Sequence, residues 1–65
     1  MILTYDNNIL TADCERVKVA YFGDERVIKV IRAIDGEVLK EMPFIFDFKN
    51  FVEVAKTQNI ICNHK

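Results

Sequence analysis

Arg26-Val27-Ile28-Lys29-Val30-Ile31-Arg32-Ala33-Ile34-Asp35-Gly36-Glu37-Val38-Leu39-Lys40-Glu41-Met42-Pro43 reads as two β-strands around an Asp-Gly turn. Gly36 suits that turn because glycine reaches positive φ without steric cost. Arg26 to Ile34 forms the stronger strand, with Val27, Ile28, Val30, Ile31 and Ile34 distributed over both faces. An apolar residue on each face predicts a central strand, or a strand whose second face is covered by a partner. Glu37 to Met42 pairs back onto it. A two-residue Asp35-Gly36 loop would set Arg32 against Leu39 and Val30 against Glu41. A four-residue loop, Ala33 to Gly36, sets Arg32 against Glu37, Ile31 against Val38 and Val30 against Leu39, and leaves Lys29 facing Lys40. Matched opposite pairs contribute roughly 0.2–1 kcal/mol each, which favours the longer loop. Pro43 cannot donate to a ladder and belongs at a strand end or an edge.

The flanking segments supply more strands. Ile2 to Tyr5, the turn Asp6-Asn7-Asn8 and Ile9 to Thr11 read as a small hairpin, since Asp and Asn bond their own backbone and tolerate left-handed dihedrals. Arg16 to Phe22 alternates, with Val17, Val19 and Tyr21 on one face and Lys18, Ala20 and Phe22 on the other. Gly23-Asp24-Glu25 turns the chain into Arg26. After Phe44-Ile45-Phe46, Asp47 is placed to cap a helix with its carboxylate. Phe48, Phe51, Val52 and Ala55 then make one apolar stripe, and Lys49, Glu53 and Lys56 face water. Asn59 is the expected helix stop, Ile60-Ile61-Cys62 an apolar tail, and Asn63-His64-Lys65 a frayed end. The expected fold is a single α+β domain over residues 1–65: a small antiparallel sheet of three to five strands with one C-terminal helix on one face.

Such a short chain buries only about 60% of the surface its unfolded form exposes, so its stability is marginal. Its apolar content of 51% exceeds what a thin two-layer domain easily hides, so a homo-oligomer, most simply a homodimer, or an obligate partner is expected. The net charge is −1, from nine Lys/Arg and ten Asp/Glu interspersed along the chain, which argues against a dedicated nucleic-acid binder. No apolar run approaches the length of a membrane span, and no signal peptide opens the chain, so a cytoplasmic protein is expected. Cys14 and Cys62 then read as reduced, half-buried thiols rather than a disulfide.

Residues for catalysis are scarce. His64 lies at the chain end, where a general base has no fixed position, and a Cys62–His64 nucleophile pair lacks support there. Zinc would draw on Cys14, Cys62 and His64, but only Cys62 and His64 are close, and a single intervening residue is tighter than structural zinc spacing. Asp6, Asp13, Asp24, Asp35 and Asp47 each sit at a turn or cap, where aspartate bonds local backbone. Gly23 and Gly36 alone cannot build a phosphate cradle. No catalytic residue, metal site or cofactor is expected.

Binding is the remaining role. Tyr21, Phe22, Phe44, Phe46, Ile60 and Ile61 are the candidate partner-contacting residues, because aromatic and large apolar side chains dominate interface hot spots. Phe44, Phe46, Phe48 and Phe51 form the main aromatic group, for which core packing is the simpler role. A competing reading is a small nucleic-acid-associated regulator using a sheet face with Lys18, Lys29, Arg32 and Lys40.

Over about 30 residues the chain resembles the FlaG family of small bacterial flagellar proteins. Val27-Ile28-Lys29-Val30-Ile31 matches the family's first strand, and Gly36-Glu37-Val38-Leu39-Lys40-Glu41-Met42-Pro43 its second; Phe51, Val52 and Ala55 fit the helix stripe that follows. Arg32 and Asp35 stand where the family pattern has Asp and Thr. The resemblance implies a cytoplasmic, non-enzymatic protein linked to flagellar filament assembly. A small phage or mobile-element protein that inhibits or regulates a host factor is the alternative setting for the same interaction module.

Overall fold

The computed structural model describes residues 1–63, with side chains through Ile61. Five strands and one helix follow in order: β1 (Ile2–Asp6), β2 (Ile9–Asp13), β3 (Val17–Phe22), β4 (Val27–Arg32), β5 (Val38–Pro43) and α1 (Phe48–Asn63). The strands form one antiparallel meander, β1-β2-β3-β4-β5, with α1 lying on one face, mainly against β3. This is an α+β domain, with the sheet at the upper end of the expected strand number.

Each hairpin is closed by its own turn chemistry. Asn7 (φ 50°) and Asn8 (φ 66°) are consecutive left-handed residues in a two-residue turn, the geometry that matches the twist of paired strands. Asn8 then ties two turns together. Its Nδ2 donates to Asp24 Oδ1 at 2.7 Å, and its carbonyl accepts from Gly23 N at 2.9 Å. A Cβ at Gly23 would meet the Asn8 carbonyl and side chain at 3.0 Å, so this close approach favours glycine. The next turn takes in Arg26, which has φ 57° and donates its N–H to the Phe22 carbonyl. The strand expected from Arg26 therefore begins at Val27.

The Asp35-Gly36 turn has the longer loop. Arg32 N donates to Glu37 O at 2.8 Å, Gly36 sits at φ 75°, and Ile31 pairs with Val38. The Arg32 guanidinium grips Asp35 at 2.9 Å and Glu37 at 2.5 Å. Two expectations fail here. β4 stops at Arg32, leaving Ile34 in the turn and 89% exposed. A bulge at Leu39 shifts the register, so Val30 pairs with Lys40 and Lys29 with Glu41. The extra residue replaces the Lys29–Lys40 confrontation of the regular register with a pair of opposite charges.

The core lies between sheet and helix. Ala12, Val17, Val19, Ile28, Val30, Phe51 and Ala55 are fully buried, with Leu10, Cys14, Tyr21, Met42, Phe44 and Val54 packed around them. Asp47 caps α1 as expected: its Oδ1 accepts from Asn50 N at 3.2 Å. The buried stripe of α1 differs from the expected one, because Phe48 is 52% exposed. Phe46, arriving from the linker, makes the ring contact with Phe51, with centroids 6.4 Å apart, and is itself partly open to solvent. The helix also runs through Asn59 to Asn63. Asn59 does not stop it; the side-chain oxygen accepts from Arg16 N at 2.7 Å, and that bond to the β2–β3 turn holds the last turns on the sheet. The tail Ile60-Ile61 is thus helical, with both side chains exposed. The Cys62 side chain, His64 and Lys65, and with them the zinc, nucleophile and disulfide questions, lie outside the described residues.

Candidate functional site

Phe44 to Asp47 link β5 to α1 without helix or strand of their own. Phe44 N donates to Arg26 O at 3.0 Å, which fixes the start of the linker against the β3–β4 turn. Phe44, half-buried, and Phe46, with one side still open to solvent, both pack on Tyr21. The Tyr21–Phe44 rings meet edge to face at 5.8 Å, and the Tyr21–Phe46 rings meet tilted at 5.1 Å. Such pairs contribute about 0.5–1.5 kcal/mol beyond their buried area. Ile45, between them, points outward and is 94% exposed. Phe48 follows it on the surface.

Two adjacent hollows share Tyr21 and Phe46 as a common wall. One is lined by Tyr21, Arg26, Pro43, Phe44, Ile45 and Phe46. The other is bounded by Tyr5, Asn8, Leu10, Tyr21, Gly23 and Phe46. Together they make an apolar groove across the end of the domain where α1 begins. Among the described residues, its one charged group is the exposed Arg26, and no described carboxylate pairs with it. The groove can take an apolar side chain against aromatic walls and a carboxylate at its rim. Among the described residues, no carboxylate, imidazole or thiol lines it.

The six sequence candidates therefore divide. Tyr21, Phe44 and Phe46 converge. Phe22 lies on the opposite sheet face, where Lys29 Nζ stands 4.7 Å from its ring centroid. Ile60 and Ile61 sit at the far end of α1, beside the β2–β3 turn. Ile45, Arg26 and Phe48 are the surface residues that sequence reasoning did not single out for this role. Alternation along Phe44-Ile45-Phe46 was the available signal: two phenylalanines packed on Tyr21 leave the isoleucine between them pointing away.

The basic residues proposed for nucleic acid do not share a face. Lys18 and Lys29 are on the helix-free side, whereas Arg32 and Lys40 pair with Val17 and Val30 of the core side. Arg32 is also committed to its two carboxylates. Among the described residues, no three His, Cys, Asp or Glu side chains cluster as metal ligands, and no helix is long and apolar enough to cross a membrane.

Two groups away from the groove have shifted titration. The hydrogen bond from Arg32 holds the Asp35 carboxyl below its ordinary range, with help from Glu37 N. Burial pushes the Cys14 thiol up, against Ala55 O at 4.0 Å. Comparison with protein-family models, with curated proteins and with solved structures found no match for the chain.

Proposed function

We propose that this protein is a non-enzymatic binding module. It receives an apolar side chain of a protein partner in the Tyr21–Phe44–Phe46 groove and pairs Arg26 with a neighbouring carboxylate of that partner. The observation that carries the reading is Ile45. Ile45 does not stand alone: Phe46 and Phe48 beside it are also about half exposed, and a run of exposed apolar residues of that kind marks a contact site. Rigid aromatic walls suit a hot spot because ordering them costs little entropy. The FlaG-like stretch forms a hairpin followed by a helix, the order the resemblance implies, and this supports flagellar filament assembly as the setting.

The test compares partner retention by the folded wild type and by Ile45→Asp and Arg26→Glu. One stoichiometric protein should be retained by the wild type, lost at least about 10-fold with Ile45→Asp, and weakened with Arg26→Glu, while thermal unfolding is unchanged. Equal retention by Ile45→Asp would refute the reading.

A further inference from the structure

The two edges of the sheet are built differently. β5 carries Lys40 and Glu41, a bulge at Leu39 and a terminal Pro43, the features by which edge strands resist pairing with another chain. β1 has no bulge, no proline and no charge before its last residue. Its five residues, Ile2-Leu3-Thr4-Tyr5-Asp6, run in unbroken register with β2, all five are exposed, and the one charge is at the end.

The ladder shows which groups of β1 are open. Gly23 N donates to Asn8 O, so Asn8, Leu10 and Ala12 bond toward β3, and Ile9, Thr11 and Asp13 bond toward β1. Their partners Asp6, Thr4 and Ile2 are thereby satisfied. The N–H and C=O of Leu3 and Tyr5 point away from the sheet.

We infer that β1 pairs with β1 of a second copy of this chain, antiparallel about a two-fold axis at Thr4. Leu3 then meets Tyr5 of the second copy, and Tyr5 meets its Leu3, so every outward donor and acceptor of the two residues is used. Thr4 faces its own copy, a favourable cross-strand pair. Each Asp6 faces Ile2 of the other chain, which keeps the two carboxylates at opposite ends of the seam. The pattern is thus self-complementary, as a two-fold interface must be. The guarded β5 edge disfavours head-to-tail growth, so assembly stops at a dimer with a ten-stranded sheet and both helices on one side. The inference is independent of the groove, sharing only Tyr5 with it.

Sedimentation equilibrium of the full chain from about 5 μM to 500 μM should show mass rising from one copy toward two. Amide exchange at Leu3 and Tyr5 should slow at least about 10-fold over that range, while exchange at Ile2 and Thr4 stays constant. Leu3→Lys places a gatekeeper charge on the edge and Leu3→Pro removes only an outward donor. Either variant, with the wild-type circular dichroism spectrum, should remain monomeric. A wild type that stays monomeric throughout, or a dimer that survives in a folded Leu3 variant, would overturn the inference.

Discussion

The side-chain oxygen of Asn59 accepts a hydrogen bond from the backbone N–H of Arg16 at 2.7 Å, joining the last turns of α1 to the β2–β3 turn. The bond spans the chain and makes the helix end part of the fold. Removing it with Asn59→Ala should lower stability by about 1 kcal/mol, the usual net value of such a bond. Urea unfolding measures this directly; an unchanged midpoint would show that the bond carries no stability.

Two phenylalanines on one helix should behave oppositely. Phe51 is fully buried against the sheet and Phe48 is half exposed. Phe51→Ala should cost about 3–5 kcal/mol, most of the stability a domain this small possesses. Phe48→Ala should stay within about 0.5 kcal/mol. Thermal unfolding of the two variants compares them, and a similar loss in both would contradict the helix phase described here.

Much of this architecture is legible in the chain. Asn7-Asn8 and Asp35-Gly36 mark their turns, and alternation in Val17 to Phe22 places Val17, Val19 and Tyr21 inward. Period alone does not set the phase of a stripe on a helix. Phe48 and Phe51 both fit it, and only the linker, by bringing Phe46 over Phe51, decides between them. Asn59 resembles a helix stop because its tertiary bond to Arg16 leaves no local trace. The groove is legible only in part: Tyr21, Phe44 and Phe46 stand out by type, but Arg26 joins them through a left-handed turn that its sequence neighbours do not announce.

The bulge at Leu39 makes a prediction about charge. Lys29 opposes Glu41 across β4 and β5. Glu41→Lys should destabilise by about 0.5–1 kcal/mol at low salt, and Lys29→Glu combined with it should recover most of the loss. A double-mutant cycle in urea gives the coupling. Deleting Leu39 removes the bulge and leaves Lys29 opposite Glu41, so the charge coupling should survive that deletion.

The turn should sense acid. Arg32 and the Glu37 amide favour the charged form of Asp35, so its folded pKa lies below the unfolded value of about 3.9. A depressed acid contributes stability that is present above the unfolded pKa and lost as pH falls through the folded pKa. An NMR titration of the Asp35 carboxyl should therefore show a midpoint below the ordinary aspartate value of about 3.9. Asp35→Asn should flatten the dependence of stability on pH below about pH 4, and an unchanged slope would contradict the link.

The central claim is that the protein meets its partner through the surface around Ile45. A photo-crosslinking side chain at position 45 tests this most directly, with the same group at position 18, on the helix-free face, as the control. The predicted result is one crosslinked protein species from position 45 and none from position 18. Equal crosslinking from both positions, or none from position 45, would contradict it.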